Sequence, residues 1–270
     1  SARSGAPIEQ GMSEPDWMAE WRKKATFEKD IEVLKVIGET GYSRRMVIIQ
    51  LVAGRLGKNP NNTSLIDAVN RLGGGTDKAL DLVERIDVFD KQGSELGGSL
   101  PILIRLTDKG KHAFWMLTGQ NAQECEFDRL MKHHKTPEHT LLNFLVRDQL
   151  VNDGHYEVLL EAPEIDLPTG EKFTPDIVVK DSKGEILYIE VERGTSKDEG
   201  YRIQKWRNHF AASHGKLFVY CDKPAFMKAL MGEVNQALKD TRFSSYFSNY
   251  EDVRDGKRGQ DGSVWLFKRE

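Results

Sequence analysis

The sequence predicts an α/β protein with two domains, a mostly helical one followed by one built on a mixed sheet. Three observations lead to this fold class. The chain has 270 residues, which is enough for two ordinary domains. Its first half shows helical patterns followed by a hairpin pattern. Its second half runs helix, three strands, helix, strand, which is the order of an α/β core.

The predicted first domain, residues 27–120, follows a segment expected to be flexible, residues 1–26. Apolar residues at helical spacing and glycines at the ends of the patterns predict three helices. They cover residues 27–40, 44–56 and 63–72. Two short apolar runs separated by "GSELGG" then predict a β-hairpin, and "LTDKGKHAFWMLTG" predicts a closing helix.

This order resembles a winged-helix module, a DNA-binding domain in which three helices precede a β-hairpin. The stretch "LTDKGKHAF" is similar to the Leu-Thr-x-x-Gly stretch that often leaves the wing strand in that superfamily. The resemblance implies that the third helix enters the major groove of DNA, with Asn70 and Arg71 as nucleic-acid contacts. A small helical packing or dimerisation domain is the alternative.

The second domain is predicted at residues 136–270, after a linker at 121–135. "TPEHTLLNFLVRDQL" predicts a helix, and "YEVLLEA", "KFTPDIVVK" and "EILYIEVE" predict successive strands. A helix in "YRIQKWRNHFAASHG", a strand in "KLFVYC" and a helix in "AFMKALMGEVNQALKD" follow. We expect "EDVRDGKRGQDG" to be a loop and "SVWLFK" a terminal edge strand.

Composition excludes several classes of function. A formal net charge of −3 argues against a protein held on nucleic acid by overall charge, so any DNA contact has to be a local patch. No apolar run approaches the ~20 residues that cross a bilayer, so no membrane partner is expected. Cys125 and Cys221 are the only cysteines. They are far apart and without CxxC spacing, which excludes a zinc ribbon and fits a cytoplasmic protein.

Carboxylates interrupt the segment with the strongest strand pattern, "FTPDIVVKDSKGEILYIEVE". Glu190 and Glu192 are two positions apart and therefore share a strand face. If the turn pairs Asp181 with Glu185, Asp176 lies opposite Glu190. Such carboxylates repel by ~1 kcal/mol in water and ~4 kcal/mol at an effective dielectric near 20, so a cation is expected among them. Oxygen ligands favour Mg²⁺ or Mn²⁺. An exposed acidic face is the alternative.

A Pro-Asp at one strand start, followed fourteen residues later by Glu-x-Glu on the next, resembles the PD-(D/E)xK nuclease superfamily, which has a restriction-endonuclease-like core. The stretch "TPDIVV…LYIEVERGTSK" is most similar to the replication-relaxation type proteins of mobile elements, in which an N-terminal winged helix is common. The resemblance implies a Mg²⁺-dependent DNA nuclease with Asp176 and Glu190 as metal ligands. Glu192 takes the usual lysine position, where it would be a further ligand or a general base.

The next predicted helix carries candidate basic residues. Arg202, Lys205 and His209 recur on one helix face, so Lys205 can point toward the carboxylates and replace the missing lysine. Residues 201–216 contain four Lys or Arg and no acid, which predicts a DNA-binding patch that includes Arg202, Arg207 and His209. A solvated helix face explains the same residues.

The resemblance also implies that Glu138 and His139 are additional metal ligands or neighbours of the metal site. His139 is equally explained as a residue of the helix N-terminus that is hydrogen-bonded to a carbonyl. The prediction is therefore a metal-dependent endodeoxyribonuclease, and one site per chain would favour a homodimer. The alternative is a catalytically inactive DNA-binding accessory or regulatory protein in plasmid replication or mobilisation, which the glutamate at position 192 favours.

Overall fold

The computed structural model describes residues 15–74, 80–88, 101–134, 136–159, 162–194 and 199–270. These residues form two compact units, one from the ranges 15–87 and 101–130 and the other from 131–270. The predictions for residues 1–14 and for the tip of the hairpin in the first unit lie outside the described residues. In the ranges that are described, no helix combines the length and the apolar character needed to cross a bilayer.

The first unit contains helices before and after one β-hairpin. In chain order its elements are α1 (Asp16–Arg22), α2 (Phe27–Thr40), α3 (Arg45–Arg55), α4 (Thr63–Val69), a π-helical turn at Asn70–Gly74, β1 (Val83–Ile86), β2 (Leu103–Leu106) and α5 (Asp108–Thr118). The two strands pair antiparallel. The predicted order of three helices, a hairpin and a closing helix is present.

Two predicted flexible stretches contain helices instead. The described part of the predicted N-terminal segment includes α1, in which Met18 and Trp21 are 0% exposed. The predicted linker includes α6 (Glu126–His134), in which Phe127 and Leu130 are buried. In both cases large apolar side chains three positions apart share one helix face, and their burial orders the chain.

The second unit is an α/β structure around a six-stranded mixed sheet, which confirms the predicted class. Its helices are α7 (Pro137–Asn152), α8 (Glu199–Ala212), α9 (Pro224–Ala237) and α10 (Tyr250–Arg254). Its strands are β3 (Glu157–Leu159), β4 (Ile165–Asp166), β5 (Lys172–Phe173), β6 (Ile177–Lys180), β7 (Ile186–Glu192), β8 (Lys216–Cys221), β9 (Ser244–Asn249) and β10 (Phe267–Arg269). The sheet order is β10-β9-β8-β7-β6-β3, and β7, β8 and β9 run parallel.

Strand β9 and helix α10 differ from the sequence prediction. β9 lies in the polar stretch "SSYFSN", where a buried strand is hard to recognise from the sequence. The buried hydroxyl of Ser248 has a hydrogen-bond partner, since its Oγ donates to Val264 O at 2.6 Å. The predicted loop contains α10, which Asn249 caps by accepting from Asp252 N at 2.9 Å. The predicted strand "KFTPDIVVK" is divided into β5, which pairs only with β4, and β6.

Strand β7 positions the carboxylates under α8. Glu190 pairs with Val219 and Glu192 with Cys221 of the parallel strand β8, so all four side chains share one sheet face. Val219 and Cys221 belong to the apolar core that also contains Trp206 of α8. The two glutamates therefore lie on the face that α8 covers.

Candidate active site

The turn between β6 and β7 sets the register of the site. Asp181 N donates to Glu185 O at 2.9 Å, and Gly184 N donates to Asp181 O at 3.0 Å. Gly184 has a φ of 85°, as this three-residue turn requires. The pairing continues along both strands to Ile177 and Ile189. One residue further, the same register places Asp176, which precedes β6, opposite Glu190. The predicted pairing of Asp181 with Glu185 is confirmed.

The β6–β7 ladder ends at Ile177 and Ile189, beside these carboxylates. Continued by two residues, its register would place Pro175 next to Val191, and proline has no N–H to donate. His139 Nε2 lies 2.8 Å from Val191 O, and Val191 N donates to Asp176 Oδ2 at 2.8 Å. Side chains thus bond both the N–H and the C=O of Val191. The proline before Asp176 is the feature of the sequence that could have indicated this arrangement.

Lys205 of α8 lies between the two glutamates. Its Nζ is 2.5 Å from Glu190 Oε2 and 2.5 Å from Glu192 Oε1. The side chains of Glu190 and Glu192 are only 4% and 3% exposed, so the contact is shielded from water. The predicted approach of Lys205 to the carboxylates is therefore present.

The carboxyl groups and Lys205 shift one another's pKa values. Burial raises the pKa of Glu190 to about 8, a shift that Lys205 opposes and Asp176 and Glu192 reinforce. Burial disfavours the charged form of Lys205, but Glu190, Glu192 and Asp176 outweigh it and raise the pKa of Lys205 well above its ordinary value. Among the described residues, none donates a hydrogen bond to the buried Glu190 Oε1. The site therefore contains a buried carboxyl oxygen to which no described residue donates.

The residues of the site fit a hard divalent cation, because they supply carboxylate oxygens. Glu190 Oε1 accepts no hydrogen bond from a described residue, and Asp176 provides a second carboxylate. Over the described part of the chain, no three His, Cys, Asp or Glu side chains are already arranged to bind a metal ion. The cation between Glu190 and Glu192 in this structure is the ammonium group of Lys205.

The start of α7 brings His139 to the site. Thr136 Oγ1 caps the helix by accepting from His139 N at 3.3 Å. His139 Nε2 also lies 3.7 Å from Asp176 Oδ2. Because a carbonyl only accepts, the Nε2 bonded to Val191 O carries a proton and has no lone pair for a metal. This arrangement corresponds to the alternative prediction for His139, a helix residue bonded to a carbonyl.

Glu138, the neighbouring candidate ligand, points to the end of β7. Its Oε2 lies 3.7 Å from Arg193 Nη1, and its side chain is 34% exposed. The structure therefore places Glu138 near the site but gives it a cationic partner of its own.

The predicted DNA-binding face of α8 is mostly buried. His209 is fully buried, its ring stacks on Phe173 with centroids 5.3 Å apart, and burial lowers the pKa of His209 to about 4. Arg202 is also buried and forms an ion pair with Glu233. The prediction is wrong for Arg202 and His209, because α8 packs against β5 on one side and α9 on another. Arg207 is exposed.

In the first unit, one of the two predicted DNA contacts is bonded to another residue of the protein. Arg71 Nη2 lies 2.6 Å from Oδ1 of Asp30, which is buried, so this guanidinium group fixes the π-helical turn to α2. The structure thus gives Arg71 a partner within the protein, and its contact with DNA stays a prediction. Asn70 is half-buried. The sequence of α4 itself contains no lysine or arginine.

Comparisons of the chain with protein-family models, with curated proteins and with solved structures gave no match. The function therefore has to be inferred from the residues of the site.

Proposed function

We propose that the second unit is a metal-dependent DNA nuclease of the PD-(D/E)xK type, with a restriction-endonuclease-like core. One observation carries the proposal: Asp176, Glu190 and Glu192 of a β-hairpin meet Lys205 of the following helix in a buried site. Buried like charges are costly unless a cation compensates them. A surface acidic patch would not need such burial.

Asp176 and Glu190 are the residues that would hold Mg²⁺ or Mn²⁺. Such an ion supplies a water molecule of lowered pKa and polarises the phosphate. Lys205 stabilises the negative charge that develops on the phosphate, which is an electrostatic task suited to a fixed ammonium group in a shielded site. Glu192 keeps Lys205 in position through its ion pair at 2.5 Å.

The first unit supports the proposal through its order of elements, which is that of a winged-helix module. The pairing of Arg71 with Asp30 and the sequence of α4 argue against base reading by its third helix. We therefore propose this unit as an accessory module and assign the phosphate chemistry to the second unit alone.

The test is incubation of the full chain with supercoiled, linear, branched and single-stranded DNA in Mg²⁺ or Mn²⁺, with a chelator as the blank. We expect cleavage that is lost in Asp176→Asn and in Glu190→Gln. Glu185→Gln is the matched control, because Glu185 belongs to the same hairpin but is 54% exposed and pairs with Lys216. Cleavage that persists in the two site variants would overturn the proposal.

One observation favours a second candidate, a catalytically inactive DNA-binding accessory protein. Lys205 already neutralises part of the charge of Glu190 and Glu192, so the site holds a cation without any metal. Salt-dependent DNA binding together with no metal-dependent cleavage on any of the four substrates would support this candidate.

A further inference from the structure

We propose that His139 is a positioning residue, which fixes the carboxylate of Asp176 indirectly: it bonds the carbonyl of Val191, and the N–H of Val191 donates to that carboxylate. The inference rests on the proposed function for the ligand, a divalent cation. The contacts that carry it do not depend on that ligand.

A missing donor explains why a histidine is needed. Val191 is fully buried, so its carbonyl has no access to bulk water and requires a donor from the protein. Two residues beyond the last pair of the ladder, Ile177 with Ile189, the same register would place Pro175 opposite Val191, and proline has no N–H to donate. His139 Nε2 takes the place of that N–H at 2.8 Å from Val191 O.

Helix α7 holds His139 where this donation is possible. The side chain of Thr136 accepts from His139 N at 3.3 Å, and Asn143 Nδ2 donates to His139 O at 3.0 Å. Asn143 is fully buried, so both the N–H and the C=O of His139 are held by side chains of α7 and its cap. The side chain reaches Val191 O from this fixed helix start.

Hydrogen bonds of Val191 connect His139 to Asp176. The N–H of Val191 donates to Asp176 Oδ2 at 2.8 Å, while its carbonyl accepts from His139. His139 Nε2 is also 3.7 Å from the same carboxylate oxygen. Loss of the imidazole frees the Val191 carbonyl to turn, and the strand end that bonds Asp176 moves with it.

A double-mutant cycle with Pro175 tests this chain of contacts. The probe is Mn²⁺, titrated calorimetrically into the full chain. We expect His139→Ala to weaken Mn²⁺ binding by about tenfold or more, as for other residues that orient ligands. In a Pro175→Ala background the same change should cost much less, because alanine at position 175 supplies the missing N–H. Equal losses in both backgrounds would overturn the proposal.

A second measurement separates positioning from general stability. Nitrogen NMR of the metal-free protein should show His139 protonated at Nε2 and hydrogen-bonded, and a neutral ring protonated only at Nδ1 would overturn the proposal. His155→Asn, a change of an exposed histidine at a φ of 56° that asparagine tolerates, should leave Mn²⁺ binding unchanged.

The two proposals fail in different ways. If the wild-type chain binds no Mn²⁺ and cuts no DNA, the nuclease proposal fails. The positioning role can still be tested, by the NMR signal of His139 and by the same double-mutant cycle with the free energy of unfolding as the measured quantity. Both report whether His139 holds the Val191 carbonyl. If Mn²⁺ binds and DNA is cut but His139→Ala changes neither affinity nor cleavage, only the positioning role is lost.

Discussion

Lys205 on α8 forms an ion pair with Glu190 on β7, with 2.5 Å between Nζ and Oε2. The positive charge that faces the two strand glutamates therefore comes from a residue of the next helix. Both partners are largely shielded from water, which makes their removal more consequential than that of a surface pair.

Lys205→Met should destabilise the second unit strongly. The change leaves Glu190 and Glu192 buried without their cation, and breaking a buried pair in this way costs about 3–5 kcal/mol. The free energy of unfolding in urea measures the effect. Lys216→Met is the control, since its pair with Glu185 is about half exposed and contributes about 0–1 kcal/mol. Similar losses in the two variants would contradict a buried ion pair.

Glu190 should make the stability of the second unit fall as pH rises from about 4.5 to about 8. Burial raises its pKa from 4.5 to about 8, so between these values the folded state binds more protons than the unfolded state. The free energy of unfolding therefore decreases as pH rises toward 8. Urea unfolding between about pH 6.5 and pH 8 should show this decrease, and Glu190→Gln should reduce it. An unchanged slope in that variant would assign the effect to another group.

His209 should make the stability of the second unit fall as pH decreases. Burial lowers its pKa from 6.5 to about 4, so the unfolded state binds more protons in this interval and stability is lost as pH falls. His209→Gln, which retains a donor for Tyr188 O, should weaken this acid sensitivity. Proton NMR of the His209 ring gives the pKa directly. A midpoint near 6.5 would show that the ring is accessible to water.

Asp30 should be essential for the stability of the first unit. It is buried and accepts from Arg71 at 2.6 Å, from Thr26 at 3.1 Å and from Trp21 at 3.3 Å. Asp30→Ala removes the partner of Arg71, whose side chain is 32% exposed, and leaves the buried Trp21 Nε1 without its acceptor, so we expect a loss of about 1–3 kcal/mol in urea unfolding. Asp67→Ala, at an exposed position of α4, should lose less than about 1 kcal/mol.

Arg71→Gln distinguishes a structural arginine from a DNA contact. Because Arg71 is bonded to Asp30, we expect a loss of stability but an unchanged salt dependence of DNA binding. A contact to phosphate would instead lower the slope of log affinity against log salt by about one. Binding of a labelled duplex at several salt concentrations, below the unfolding temperature of the variant, measures this slope.

The sequence by itself determined the local geometry of the hairpin. Side chains two positions apart share a strand face, so Glu190 and Glu192 had to point the same way. The stretch "DSKG" indicated a turn, but its length was left open until the pairing of Asp181 with Glu185 was seen. Helical spacing placed Lys205 on one face with Arg202 and His209, and the packing of α8 on the sheet brings it to the glutamates.

Only the tertiary structure decided which of the predicted site residues remain accessible to a ligand. Arg202 and His209 share a helix face with Lys205, yet they are buried against α9 and β5, elements distant from them in sequence. His139 and Val191 are likewise brought together by packing between α7 and β7. Helix period fixes the direction of a side chain relative to its own helix, whereas burial and hydrogen-bond partners depend on the elements packed against it, which no local pattern specifies.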